Sequence, residues 1–172
     1  MDITQIILDQ HQEQRRRFAL LDEIPREDTQ ALADSWAALV KLLEVHAAAE
    51  ERHFYPHLLA IGQGPPQEEG TDPAPETKDA IGDHNEIRDG IRQAARHDVG
   101  SDGWWEGVYA AREANSDHMG EEEREDLPDF RLRADLELRH DLALKFLAFF
   151  DGHPDGVDVE DSDPDAYVEE HG

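Results

Sequence analysis

Hydrophobic side chains recur along this chain with the spacing of helices that bury one face. The periodicity predicts four long helices, over about residues 3–21, 28–61, 76–97 and 103–126, and a shorter one over about 132–150. In the second segment the inward positions Trp36, Leu39, Leu43 and His46 follow one another at alternating steps of three and four residues. That alternation is typical of a bundle core. The sequence therefore predicts an all-α fold, a four-helix bundle with a short C-terminal helix.

Two segments lack this periodicity. Residues 62–77 contain four prolines and three glycines, which predicts a loop or linker between the second and third long helices. Residues 151–172 contain nine acidic residues and no lysine or arginine, and their apolar content is too low for a core of their own. We therefore expect one bundle domain over residues 1–150, followed by an acidic, disordered tail over residues 151–172.

The most informative feature of the sequence is an internal duplication. The pattern H-x-x-x-E-E-R-x-x-Φ-P, where Φ is apolar or aromatic, occurs at residues 46–56 and again at 118–128, an offset of 72. The pattern H-[QN]-E-x-R occurs at residues 11–15 and again at 84–88, an offset of 73. Two independent motifs at nearly the same offset indicate two helix pairs that are related by a pseudo-two-fold axis.

The duplicated motifs place ionisable side chains on the apolar faces of the helices. Residues four apart on a helix point in nearly the same direction, so the His and Glu of each His-x-x-x-Glu motif face the core together. Burying a lone carboxylate is costly unless a cation compensates its charge. The sequence therefore predicts a metal centre whose ligands are His11, His46, Glu50, His84, His118 and Glu122.

We expect this centre to hold two iron ions, although manganese or zinc would accept the same ligands. His11 and His46 would bind one ion, and the other two histidines would bind the second. The two glutamates would bridge the ions, and a position left to solvent would admit O2, peroxide or nitric oxide. The alternative is that each histidine is an ordinary hydrogen-bonded core residue, but six candidates in two matched sets favour a metal centre.

The net charge and the absence of cysteine limit the classes of molecule and the kinds of metal ligand that we expect for this protein. The formal net charge of −26 repels phosphate backbones and anionic headgroups, which argues against nucleic acid and membrane surfaces as partners. The sequence has no cysteine, so thiolate metal ligands and disulfides are excluded. We see neither a secretion signal nor an apolar stretch long enough to span a membrane. We therefore expect a cytoplasmic protein that interacts with cations.

The order H … H-x-x-x-E … H … H-x-x-x-E resembles the hemerythrin-like, or HHE cation-binding, domain family over roughly residues 1–150. The resemblance implies an up-down-up-down bundle around a non-haem di-iron centre with an oxo or hydroxo bridge. Oxygen-carrying members have a second histidine four residues after that of the third helix, where this chain has Arg88. They also have His-x-x-x-x-Asp where this chain has His118-x-x-x-Glu122. The pattern is more similar to that of actinobacterial hemerythrin-like proteins, for which peroxide breakdown and responses to nitric oxide are proposed.

The resemblance implies a protein that binds or decomposes small molecules derived from O2, with peroxide ahead of O2 and nitric oxide. The alternative is a non-enzymatic iron or oxygen sensor or an iron store, and the sequence leaves catalase-like activity undecided. Three further side chains could complete the coordination, namely His53, Tyr55 and Glu125. An ideal helix turns Tyr55 away from the ligands, so its role as a cofactor-binding residue requires a distortion at Pro56.

Overall fold

The computed structural model describes residues 1–64 and 72–172, and in these ranges all regular structure is helical. The helices are α1 (Ile3–Glu23), α2 (Thr29–His53), α3 (Tyr55–Ile61), α4 (Ala74–Ala94), α5 (Asp102–Arg124), α6 (Asp126–Arg133), α7 (Leu136–Gly152) and α8 (Pro164–His171). The predicted linker over residues 62–77 lies partly outside the described residues. No helix in the described ranges is both long and apolar enough to cross a membrane.

The four long helices α1, α2, α4 and α5 form an antiparallel bundle. Short connections reverse the chain between α1 and α2 and again between α4 and α5. Helix α1 also runs antiparallel to α5, because Asp22 near its end pairs with Arg112 while His11 pairs with Glu123, farther along α5. The predicted all-α helical bundle is therefore confirmed, in the up-down-up-down order that the family resemblance implies.

Side chains at the helix ends explain where the elements begin and stop. Asp2, Asp28 and Ser101 cap α1, α2 and α5, because each accepts a hydrogen bond from a backbone N–H of the first turn. The sequence predicts one continuous second helix, but the structure divides it into α2 and α3, because Pro56 has no N–H to donate to the preceding turn. The same break separates α5 from α6 ahead of Pro128, so the duplication extends to the helix ends.

The interior consists of two apolar clusters with a polar layer between them. One cluster is built around α3, α6 and α7, and the other contains Trp36 and Trp104. On α1, for example, His11 lies between Ile7 of the first cluster and Phe18 of the second. The bundle therefore encloses its ionisable residues between two apolar layers.

The acidic tail differs from the prediction of disorder. Its last segment forms α8, which packs on α4 and buries Tyr167 to 9% exposure. Two ion pairs attach the tail to α4. In the first, Arg92 lies 2.8 Å from Asp161. Lys78 likewise lies 2.6 Å from Asp165. The composition of the tail alone does not predict this ordered structure, because α4 supplies the cations and much of the packing surface that the tail lacks.

Helices α4 and α5 approach each other closely through two glycines. A Cβ atom at Gly90 would lie 2.4 Å from the backbone nitrogen of Ala111. A Cβ atom at Gly107 would lie 2.3 Å from the backbone nitrogen of Ala94. Because these collisions are with backbone, no side-chain movement relieves them, and the two glycines set the spacing of the helices.

Substitution of Gly90 with alanine is expected to destabilise the fold by about 1–3 kcal/mol, because the added methyl group must push α5 away. Gly82→Ala on the same helix is the matched control. No atom lies within 4 Å of a Cβ at Gly82, so the helix propensity of alanine should stabilise that variant by up to about 1 kcal/mol. Chemical denaturation measures both changes, and equal effects would contradict this account of the packing.

Candidate metal centre

The six side chains predicted to bind metal converge in the polar layer of the bundle. They come from all four long helices: His11 from α1, His46 and Glu50 from α2, His84 from α4, and His118 and Glu122 from α5. Each is at most 2% exposed. The structure therefore brings together every ligand candidate that the duplicated motifs indicate.

Two imidazole pairs flank the carboxylate of Glu50. The ring centroids of His11 and His46 are 5.1 Å apart. Those of His84 and His118 are 4.6 Å apart. One Glu50 oxygen lies 2.9 Å from Nε2 of His46, and the other lies 3.4 Å from Nε2 of His84. Glu50 thus faces one pair with each oxygen.

The second carboxylate, Glu122, has a different environment. One of its oxygens lies 3.2 Å from Nε2 of His11, and the other accepts a hydrogen bond of 3.3 Å from the hydroxyl of Tyr55. Metal–ligand bonds of about 2.0–2.2 Å place neighbouring ligand atoms about 3 Å apart around one ion. The separations in this layer are of that size. Ligand atoms of His11, Glu50, His118 and Glu122 all lie within 4.8 Å of one another.

Five inward-facing atoms in this layer are buried with no hydrogen-bond partner among the described residues. They are Nε2 of His11, Nε2 of His46, both oxygens of Glu50 and one oxygen of Glu122. Their near neighbours are atoms of the other candidate ligands, such as Nε2 of His46 at 2.9 Å from a Glu50 oxygen. Buried polar groups in native proteins are nearly always paired, and an unpaired charged group is especially costly. The donor set therefore fits a bound cation.

The outer ring nitrogens are held by the protein. Nδ1 of His11 lies 2.9 Å from a carboxylate oxygen of Glu123. The same oxygen accepts a hydrogen bond of 2.8 Å from Arg15. A carboxylate on Nδ1 fixes the ring orientation and directs Nε2 toward the metal position. Glu123 and Arg15 therefore position His11 without entering the centre.

The second half of the chain repeats this arrangement. Nδ1 of His84 lies 2.9 Å from a carboxylate oxygen of Glu51, and Arg88 donates a hydrogen bond of 2.7 Å to the same oxygen. The duplicated motifs contain these residues, so the repeat gives both the ligands and the residues that orient them.

The remaining two histidines have orienting partners that sequence reasoning missed. Nδ1 of His46 lies 2.6 Å from the amide oxygen of Gln10, and Nδ1 of His118 faces a carboxylate oxygen of Asp83 at 3.7 Å. Gln10 and Asp83 each stand directly before the histidine of the upstream motif. The offset of 73 relates these two positions. The duplication therefore marks both of them as neighbours of the candidate ligands.

Charges in the layer compensate one another. Burial acts to raise the pKa of the Glu50 carboxyl, yet the neighbouring imidazoles, His46 foremost, hold it well below its usual range. Burial acts to lower the pKa of His118, yet its interactions with Asp83 and Glu50 raise it well above its usual range. Protons and metal ions therefore compete for the imidazoles, and metal affinity should fall as pH falls.

Among the three optional ligands, Tyr55 reaches the centre. The break between α2 and α3 turns its buried hydroxyl toward Glu122. Burial and the charges of Glu122 and Glu50 raise the pKa of Tyr55 well above its usual range, which favours a neutral donor over a phenolate ligand. His53 lies instead against Phe149, with the ring centroids 5.8 Å apart. Glu125 lines a cavity beside the centre.

A family model described as the hemerythrin HHE cation binding domain matches residues 2–130. The chain belongs to this family. All six candidate ligands lie within the matched residues of the hemerythrin HHE domain. No curated protein and no solved structure gives a significant match. The match is to the family as a whole, so the resemblance to its actinobacterial type stays a prediction.

Arg88 occupies the position where oxygen-carrying hemerythrins have an additional histidine. It is 3% exposed, and its guanidinium donates to Glu51. A guanidinium has only donors, so it offers a metal ion no ligand atom. In this hemerythrin HHE domain, Arg88 instead holds the Glu51 carboxylate, which orients His84.

Two elements beyond the matched residues also reach the surroundings of the centre. The ring of Phe146 on α7 lies 6.0 Å from that of His46, centroid to centroid. In the tail, the Tyr167 hydroxyl donates to the backbone carbonyl of Glu51, and the Ser162 hydroxyl lies 3.4 Å from the Glu51 carboxylate. The C-terminal tail thus contacts a residue that orients a candidate ligand.

Replacing Glu51 or Glu123 with glutamine is expected to weaken metal binding about 10–100-fold, because a neutral amide orients the imidazole less firmly than a carboxylate. Glu113→Gln, at an exposed position of α5, is the control and should bind metal as the wild type does. Competition titration against a chromophoric chelator measures the affinities. Unchanged affinity in both test variants would show that the two carboxylates have no part in metal binding.

Proposed function

We propose that the buried polar layer binds two iron ions, one at each imidazole pair, with Glu50 and Glu122 as bridging carboxylates. The observation that carries this proposal is the set of buried ligand atoms that have no hydrogen-bond partner among the described residues. The placement of Glu50, with one oxygen toward each pair, supports a bridging role. Imidazole and carboxylate ligands suit iron, and manganese and zinc would substitute. The oxo or hydroxo bridge that the resemblance implies belongs to the same proposal.

We further propose that the centre decomposes hydrogen peroxide, with O2 and nitric oxide as further ligands. A pair of iron ions, when bound, supplies the redox chemistry that converts two molecules of H2O2 into two of water and one of O2. A cavity of about 120 Å³ reaches His118 and Glu122 from the surface, which leaves room for molecules of about the size of water. The arginine at position 88 favours a reactive centre over a reversible oxygen carrier.

The chain's own residues would prepare the site for a small ligand. The Tyr55 hydroxyl presents a neutral hydrogen-bond donor beside Glu122. The two apolar clusters close the polar layer from both ends of the bundle. The orienting carboxylates Glu51 and Glu123 hold their imidazoles in place. Together these groups would hold the candidate ligands in place and close the layer at both ends.

Iron-loaded, full-length protein is expected to contain two iron ions per chain and to release O2 from added peroxide. Elemental analysis and an oxygen electrode measure the two quantities. Glu50→Ala and Glu122→Ala should each lose iron, because each removes a ligand shared by both ions, whereas Glu113→Ala should keep both. If either ligand variant retains two ions, the bridging assignment is wrong. Two ions per chain without peroxide turnover would contradict the catalytic part alone.

A non-enzymatic iron or oxygen sensor is the second candidate function, and the contact between the tail and Glu51 favours it. Glu51 touches His84 on one side and the tail residues Ser162 and Tyr167 on the other. Loss of a metal ion from His84 would therefore act on Glu51 and on the attachment of the tail. In this case, iron removal should speed proteolysis of the tail and lower the melting temperature while peroxide turnover stays negligible. Equal proteolysis and equal melts with and without iron would rule out the sensor.

A further inference from the structure

A cavity between α4 and α5 leads from the protein surface to the candidate metal centre. Six carboxylate residues line it apart from the ligands: Glu76, Asp79, Asp83, Glu121, Glu125 and Asp126. Its wall also contains His118 and Glu122, two of the candidate ligands. The cavity volume is about 120 Å³, enough for several water molecules. The polar layer is therefore connected to solvent through a passage of strongly negative charge.

The duplication shows that this passage belongs to one half of the chain. At the offsets of 73 and 72, Ile6, Ala49 and Phe54 correspond to Asp79, Glu121 and Asp126. The equivalent face of the first half is thus apolar, and it contributes to the cluster that α7 covers. On the corresponding face of the second half, carboxylates line the cavity instead. In the part of the chain that the structure describes, the centre therefore has one side that α7 covers and one acidic side that faces the cavity.

Asp126 distinguishes this passage from an ordinary solvated acidic face. It is only 6% exposed and lines the cavity, and no described residue donates a hydrogen bond to it. Its counterpart Phe54 is fully buried and packs against Phe130, with the ring centroids 5.1 Å apart. A buried carboxyl group without a donor either takes up a proton or needs a cation beside its charged form. The exchange of a core aromatic for an unpaired carboxylate therefore points to a cationic ligand.

We propose that this acidic cavity is the path by which a hydrated divalent cation reaches the metal centre from solvent. The inference rests on the proposed function, because a path requires a metal centre at its inner end. Asp79 and Glu121 lie exposed at the outer rim and would attract the cation. Asp126 would then stand in for water ligands on the way to His118 and Glu122. Clefts lined by one sign of charge raise association rates in this manner.

The cavity residues serve passage rather than storage. In the described ranges, the side chains whose ligand atoms converge within 4.8 Å of one another are His11, Glu50, His118 and Glu122. None of the six other carboxylates of the cavity belongs to that group. A cation in the cavity would therefore bind more weakly than at the centre and would move inward.

Metal-free full-length protein mixed with Co²⁺ in a stopped-flow instrument tests the path, because the visible absorption of bound Co²⁺ reports the rate of binding. The rim variant Asp79→Asn/Glu121→Gln removes two charges at the cavity. The control Glu86→Gln/Glu113→Gln removes two charges from exposed positions elsewhere on the same two helices. Asp126→Asn tests the inner carboxylate, and thermal melts establish that each variant is folded.

The rim variant should bind Co²⁺ about 3–10-fold more slowly than the control at low ionic strength. In about 1 M salt, which screens charges beyond about 3 Å, this difference should shrink below about twofold. Asp126→Asn should slow binding at both ionic strengths, and every variant should reach the wild-type stoichiometry. Rim and Asp126 variants as fast as the control would overturn the path while leaving the metal centre intact. Wild-type protein that binds no Co²⁺ would overturn the centre and the path together.

Discussion

The charge of two glutamate side chains in the middle of the bundle is the constraint on which the rest of the structure depends. Glu50 and Glu122 are at most 1% exposed, and three of their four oxygens have no hydrogen-bond partner among the described residues. Positive charge has to enter the same layer, because an uncompensated buried carboxylate is costly. Imidazoles from all four helices surround the two carboxylates, and iron would complete the compensation. The apolar clusters close this layer at both ends of the bundle.

The outer shell of the centre follows from the same constraint. Glu123 with Arg15, and Glu51 with Arg88, form two matching ion pairs that turn one imidazole of each half inward. The hydrogen bonds of Glu123 with His11 and Arg15 lower the pKa of its carboxyl to about 2. The candidate ligands and these two ion pairs are therefore arranged in matched halves, although Glu50 and Glu122 have different neighbours. The surroundings of the centre are not symmetric, since α7 covers one side and carboxylates line the other.

Much of this arrangement could be predicted from sequence, because the duplication is local. Spacing within a helix fixes which residues share a face, so the six ligand candidates and the bundle followed from periodicity and from His-x-x-x-Glu. The pairing of α4 with α5 through Gly90 could not be predicted, because a close approach between helices leaves no local pattern. The order of the tail was missed for a similar reason. Its partners Lys78 and Arg92 lie far away in the sequence.

Tyr55 combines a feature that the sequence predicts with one that only the folded structure reveals. Its position on an ideal helix points away from the ligands, and only the break ahead of Pro56 turns it toward Glu122. The sequence contained the proline but not the angle of the break. Asp126 is a similar case. The repeat shows a carboxylate at this position, but its burial depends on the packing of α6. Departures from the duplication were therefore as informative as the matches.

Anomalous diffraction at the iron absorption edge from crystals of iron-loaded protein would locate the metal ions in the bundle. We predict two peaks inside the polar layer, one within bonding distance of Nε2 of His11 and His46. The second should lie within bonding distance of Nε2 of His84 and His118, with Glu50 bound to both ions. A single peak, or peaks outside this layer, would contradict a di-iron centre built from the duplicated motifs.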